Sequence, residues 1–398
     1  MTSSFPTHAL AVLCEVFADG DWIESKDQSA LGVRLIQTGN VGLGTFKDRG
    51  EKARYISEET FNRLRCTEIF EGDCLVSRLP DPAGRSCLLP DTGERMITAV
   101  DCTIIRFDKA KVIPEFFNYY SQSAEYLNAV DSETSGTTRK RISRSKLGET
   151  HIPVPLLAEQ QRIVGILDEA FDGIATATAN AEKNLQNTRA LFESHLQAVF
   201  TKRGDGYTKK KLDEVCAITS TLVDPRKDEF LDLTHVGAGN IESQTGLFVA
   251  LKTSREEALI SGKFLFDRSM VLYSKIRPYL MKVARPDFGG LCSADMYPLA
   301  PLANQITRDY LFHLLLSKPF TDYAIQGSAR AGMPKVNREH LFEFQVWLPS
   351  IEKQREIAAK LDVLHEETQR LESLYQQKLT ALDALKKSLL HQAFSGAL

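Results

Sequence analysis

The sequence predicts a mixed α/β (α+β) protein: two globular domains related by tandem duplication, separated by an antiparallel coiled coil of two long helices. Three observations predict it. A proline followed by a Gln- and Arg-containing opening and a long apolar periodicity occurs twice, 194 positions apart. The segments ahead of each opening follow one plan in one order. Neither periodic stretch contains an internal proline, so each can run as a single helix.

The helices come first because they organise the rest. Pro155 is followed by Glu159-Gln160-Gln161-Arg162-Ile163, and Pro349 by Lys353-Gln354-Arg355-Glu356-Ile357. From there, positions recur in steps of four and three. The first seam reads Ile163, Leu167, Ala170, Ile174, Ala177, Ala181, Asn184, Thr188, Leu191 and His195. The second reads Ile357, Leu361, Leu364, Thr368, Leu371, Tyr375, Lys378, Leu382, Leu385 and Leu389. This is the a/d spacing of a coiled coil. Each helix of ~40 residues would run ~60 Å at 1.5 Å per residue. One such helix cannot bury its own stripe, and the economical partner is the other copy. Asn184, His195 and Lys378 on the seam read either as register-setting polar residues or as places where another subunit meets it.

Residues 1–150 form the first globular domain, 151–205 the first long helix and linker, 206–346 the second domain, and 347–398 the second long helix. In the first domain, Val33 to Ile36 reads as a strand, and Gly39-Asn40-Val41-Gly42 breaks the chain. A helix is predicted around Ser57 to Leu64. Gly72 to Leu79 reads as a turn and a short buried strand, Met96 to Phe107 as another strand, and Pro114 to Asn128 as an amphipathic helix. The second domain answers in order. Gly237-Ala238-Gly239-Asn240-Ile241 answers Gln37-Thr38-Gly39-Asn40-Val41. Ser269 to Ile276 answers Gly72 to Leu79, Tyr310 to Phe320 answers the helix after Pro114, and Lys335-Val336-Asn337 answers Arg141-Ile142-Ser143. The offset drifts only from 200 to 197 to 194, as small loop deletions produce. A two-copy repeat is read before any single motif.

Composition narrows the function. With 398 residues, 43% hydrophobic and 25% charged, the chain is long enough for two or three real cores. Seven cysteines without a CxxC pair read as reduced, mostly buried residues of a cytoplasmic protein. No His or Cys pair has metal-ligand spacing. No apolar run approaches a membrane span, and Met1 to Leu13 lacks the pattern of a signal peptide. The net charge of −3 leaves room only for local basic surfaces.

Two such surfaces stand out. Arg139, Lys140, Arg141, Arg144 and Lys146 lie in a stretch without an acid, and Arg330, Lys335 and Arg338 occupy the same place in the second half. A basic run is often only a solvated loop, but its recurrence favours phosphate and groove contact. Arg78, Lys275 and Arg277 end apolar strands, where a side chain can reach a ligand or pair with a carboxylate; both readings stand. Asn40 and Asn240 follow glycine in a break, where Asn serves the backbone or reads adenine. The aromatic run Phe116 to Tyr120 reads as core. No catalytic residue is assigned. There is no Asn-Pro-Pro-aromatic or Asp-Pro-Pro-Tyr segment, no phosphate-binding GxxxxGK[ST] loop and no paired carboxylates of a nuclease centre, and Gly39 to Gly44 lacks the GxGxxG order.

With these motifs in view, the chain resembles the specificity subunits of type I restriction–modification enzymes over nearly its whole length. The resemblance rests on Thr38-Gly39-Asn40-Val41-Gly42 and Gly237-Ala238-Gly239-Asn240-Ile241-Glu242, on Tyr273-Ser274-Lys275-Ile276-Arg277-Pro278 and its copy, and on both helix openings. Lys353 departs from the pattern where the first copy has Glu159. The resemblance implies that each globular domain is a target recognition domain for one half of a split double-stranded DNA site, and that the helices set its spacer. It implies two methyltransferase subunits, with S-adenosylmethionine held by them, and restriction subunits that use ATP and Mg. This chain itself would carry no cofactor and would be a non-catalytic part of a phage-defence system. The rival readings are a coiled-coil scaffold whose globular ends bind no DNA, and a stand-alone nuclease or methyltransferase.

Overall fold

The computed structural model describes residues 5–80, 82–136, 140–202, 204–328 and 334–398. The chain divides into two compact units, Met1–Asn180 with Lys378–Leu398, and Ala181–Gln377. Each unit therefore holds one globular domain and part of each long helix.

The two domains share a topology. In the first, Cys14–Asp19, Cys102–Phe107, Cys74–Ser77 and Ser86–Leu88 form an antiparallel sheet in that order. A second sheet runs Gln28–Ser29, Arg54–Ile56, Val33–Ile36 and Met96–Thr98, its last pair parallel. The second domain repeats the first sheet as Cys216–Ala217, Met296–Pro301, Val271–Ser274 and Val283–Ala284. Its other sheet keeps the parallel pair Thr234–Val236 and Gly290–Ser293 but has five strands, with Leu222–Val223 and Lys263–Phe266 added on the Gly290–Ser293 side. Val33, Leu35, Ile36 and Ile97 are buried on both faces of these short strands, and buried Arg34 between them is paired with Asp48 and Glu94.

Met96 to Phe107 is two strands in two sheets rather than the single strand expected. The chain turns at Ala99–Asp101, where Gly20 lies so close that a Cβ on it would stand 2.4 Å from the Thr98 and Ala99 carbonyl oxygens. The helix after Pro114 is likewise two, Pro114–Tyr120 and Ala124–Ser132, the second capped by the Ser123 hydroxyl accepting from the Tyr126 amide. Its counterpart divides into Arg308–Leu316 and Lys318–Gln326, with Pro319 in the first turn of the second piece, where a missing N–H is tolerated. The helix predicted near Ser57 is Glu58–Leu64, capped by Ser57.

The long helices are Leu157–Thr201 and Ile351–Ser395, 45 residues each and 194 positions apart. In the first unit, Lys386 lies over the Phe171 ring and Arg162 donates to the Leu398 carbonyl, so the two helices run antiparallel there. In the second, Arg189 pairs with Glu372 and Phe192 packs on His365, again antiparallel. Ile163, Leu167, Ala181 and Thr188 are buried, as are Leu361 and Thr368, while Ile174, Ile357, Leu364, Leu371, Leu382 and Leu389 are partly buried. Two expected seam positions are corrected. Leu191 is 48% and Leu385 47% exposed. The inward residues there are Phe192 and Leu196, and Lys386 and Leu390. Both slips fall at equivalent positions. A strict seven-residue repeat drifts by ~20° per heptad on a straight helix, and here each helix end packs into a globular core, which rewards the ordinary helical phase. Asn184, His195 and Lys378 are exposed.

The repeated plan of the helix openings becomes clear in their side chains. Gln160 is fully buried: its Oε1 accepts from the Ile113 amide at 2.9 Å, and its Nε2 donates to the carbonyls of Lys111 and Pro155. Gln354 does the same with the Thr307 amide and the Gln305 and Pro349 carbonyls. Two turns on, Asp168 accepts from the Tyr119 hydroxyl, and Asp362, at the equivalent place, accepts from His313 at 2.8 Å and from Arg285. Each domain is thus latched to its helix by one glutamine and one aspartate.

Candidate nucleic-acid interface

In the first domain the strand Cys74–Ser77 delivers Arg78 to a turn at its end. Its amide donates to the Asp101 carbonyl, its own carbonyl accepts from the Ile142 amide, and its guanidinium bonds the Val100 carbonyl and stands 3.1 Å from Asp19. Buried Ile142 plugs the base of the following segment, and Ser143 caps the short helix Arg144–Glu149 by accepting from the Lys146 amide. This brings Arg141 to 3.4 Å from Asp101 and Arg144 to 3.8 Å from Asp19, with both basic side chains still partly exposed. Lys140 is exposed beside them, and Lys146 faces Glu133 and Glu149.

The second domain builds the same arrangement from different residues. The Lys275 amide donates to the Asp295 carbonyl, and the Lys275 carbonyl accepts from Val336. Asn337 caps Arg338–Phe342 by accepting from the His340 amide at 2.7 Å. Lys335 lies 3.6 Å and Lys275 3.8 Å from Asp295, and Lys275 also donates to the Ala294 carbonyl and sits 5.2 Å from the Tyr297 ring centre. Burial, then the neighbouring Lys335 charge, pushes the Lys275 ammonium below its ordinary value. Lys335, Arg338 and Arg277 are exposed.

The structure therefore separates the sequence candidates into two groups. Lys140, Arg141, Arg144, Arg277, Lys335 and Arg338 stand at the surface. Arg78, only 3% exposed and lowered in pKa by burial, and Lys275 hold the patch from below. Asn40 is buried, its Oδ1 accepting from the Gln37 amide and its Nδ2 donating to the Lys47 carbonyl. Asn240 is used alike by Gly237, Val249 and Ala250. Both side-chain amides thus serve the backbone of 3-10 turns. Arg139 and Arg330 lie outside the described residues. Sequence reasoning missed Asp19, Asp101 and Asp295, which organise the cations. Asp101 and Asp295 were detectable, since they too recur 194 positions apart.

All seven cysteines are free, six of them buried. Among the described residues no group of three or more His, Cys, Asp or Glu could hold a metal ion. Among the described residues no helix is long and apolar enough to cross a membrane.

Duplicated α/β domains, each latched to long helices and each carrying a basic patch, define a tandem two-domain protein with a cationic surface in each half. Residues 13–186 and 204–381 both match the type I restriction modification DNA specificity domain, and the chain belongs to that family. It is similar to the type I restriction enzyme EcoDI specificity subunit of Escherichia coli, 30% identical over 253 residues, which cover 61% of this chain and 56% of the relative. The EcoBI specificity subunit of the same organism is 25% identical over 70% of this chain and 65% of its own length. The chain thus spans little more than half of the first relative. Two solved structures share the fold across nearly the whole chain. One, from work on complex assembly and conformational transition of the type I R-M system, has a TM-score of 0.77 at 17% identity and covers 100% of both chains. The HsdS subunit from Thermoanaerobacter tengcongensis has a TM-score of 0.60 at 18% identity, covering 99% of this chain and 97% of its own.

Proposed function

We propose that this chain is the non-catalytic DNA-recognition subunit of a type I restriction–modification complex, each domain reading one half of a split target. The observation that carries the reading is the duplicated patch: exposed cations arranged around an aspartate at the end of a buried strand, built twice at equivalent positions. Arginine and lysine at these places supply salt-dependent affinity for phosphates, and arginine can also take guanine in a bidentate contact. The long helices would set the spacer and dock two methyltransferase subunits, which would bring S-adenosylmethionine and the adenine chemistry. Restriction subunits would join through these.

The test is genome-wide adenine methylation in a host expressing this chain with and without its methyltransferase subunit. A split motif with a fixed gap, seen only when both are present, is the expected result. Absence of any motif from a soluble complex would leave the scaffold reading in front. At the level of the patch, Arg141→Ala with Arg144→Ala should reduce the slope of log affinity against log salt by about 2, since each phosphate contact contributes about 0.9. An unchanged slope would remove these two residues from the phosphate contacts.

A further inference from the structure

Tyr279 stands at the edge of the second patch, and none of the interactions described above uses it. It is 50% exposed, in the single 3-10 turn Pro278–Leu280. Both flanking residues are left-handed despite carrying side chains, Arg277 at φ 50° and Met281 at φ 46°, a conformation that L-residues with a Cβ avoid. The surroundings hold it. The Arg277 amide donates to the Pro334 carbonyl at 2.9 Å, Ile276 bridges to Lys335, and the Met281 carbonyl accepts from the Gln244 amide at 3.2 Å. Buried Pro278 anchors the middle.

The turn is therefore pinned to the segment that carries Lys335 and Arg338, and it presents a phenol ring and a guanidinium to solvent beside them. An aromatic held on a rigid turn beside exposed cations suits a DNA duplex, whose phosphates meet the charges while a base edge or thymine methyl in a groove meets the ring. The first copy has Pro80 and Pro82 where the second has Arg277 and Tyr279. A difference at this place is what two unlike half-sites require.

We propose that Tyr279 is a specificity-determining residue of the second domain, its ring contacting a base of the half-site that this domain reads. The proposal rests on the DNA-recognition reading above. It is tested by mapping adenine methylation in cells carrying the whole complex with the natural chain, Tyr279→Ala, Tyr279→Phe or, as a control on the same domain, Ile260→Ala, a residue 78% exposed. Tyr279→Ala should leave one half-site unchanged, make at least one position of the other degenerate, and cut methylation of the original motif about tenfold, the scale of one lost base contact in a duplex site. Tyr279→Phe should retain the motif, and Ile260→Ala should match the natural chain. An unaltered motif at natural levels in Tyr279→Ala would overturn the proposal. So would equal loss at both half-sites accompanied by a fall in melting temperature, which would mark a structural role. If the natural complex itself gave no split motif, the parent reading would fail and not the assignment of Tyr279 alone.

Discussion

Asp362→Ala is expected to lower the melting temperature of the chain by about 6–12 °C, from a loss of about 3 kcal/mol at some 2–4 °C per kcal/mol. Asp362, on the second long helix, meets Arg285 at 2.7 Å and His313 at 2.8 Å. Burial alone would raise its pKa, but the hydrogen bonds from His313 and Arg285 outweigh this and hold the carboxyl well below its ordinary range. His313 is completely buried in the apolar core, and its Nδ1 has no hydrogen-bond partner, which fits a neutral ring donating from Nε2. Removing the carboxylate strands that donor and one end of the guanidinium. Asp309, 2.8 Å from Arg285, remains to share part of the charge, so the loss stays at the lower end for a broken buried pair. A shift under 2 °C, measured by calorimetry, would show that the latch contributes little.

The same site gives a pH dependence. Burial, opposed by the hydrogen bond that His313 donates to Asp362, pushes the His313 pKa below 6.5, and burial likewise lowers His235 beside Glu257. A depressed histidine contributes stability that is present above its unfolded value of about 6.5 and is lost as pH falls through the folded value. Asp362 adds stability above the ordinary carboxylate value, lost only at stronger acidity. Melting temperature should therefore fall between pH 7 and pH 5 before the carboxylates titrate, and His313→Gln should flatten part of that fall. A pH-independent transition over this range would rule the histidine contribution out.

Gln160→Ala should destabilise the first unit by about 2–4 kcal/mol, because it leaves the buried Pro155 carbonyl and the partly buried Ile113 amide without this partner and also frees the Lys111 carbonyl. Gln354→Ala should cost the second unit a similar amount, since its three bonds are equivalent. The two glutamines belong to different compact units, so their costs should add in the double variant. Replacement by glutamate should be at least as damaging in either place, because a carboxylate would face two carbonyl oxygens without a donor. Denaturant titration of the four proteins checks this. If each alanine variant matched the natural chain within 0.5 kcal/mol, as surface substitutions do, the glutamines would be dispensable.

Much of the fold was legible because the signals are local and doubled. Pro155 and Pro349 open helices of equal length, and the apolar steps of four and three follow from 3.6 residues per turn. The strand at Val33–Ile36 and the Ser57 cap are likewise written in a few neighbouring residues. The division of Met96–Phe107 was not, because it depends on Gly20, some eighty positions away, letting the backbones approach. At the candidate site, Arg141, Arg144, Lys335 and Arg338 could be found by charge and recurrence. The burial of Asn40 and Arg78 could not, because it is decided by partners such as Lys47, Val100 and Asp19 that sequence spacing does not bring together.

By itself, then, the sequence determined that this protein is a duplicated α/β unit on two long helices with a basic segment in each half, because periodicity, turn chemistry and repeats are properties of the chain taken locally. Only the tertiary structure decided which cations face solvent and which lie beneath them, and that Leu191 and Leu385 turn outward while Phe192 and Leu390 turn in. Burial and charge pairing depend on which distant segments a residue meets, and those meetings arise only when the sheets and the two helices pack.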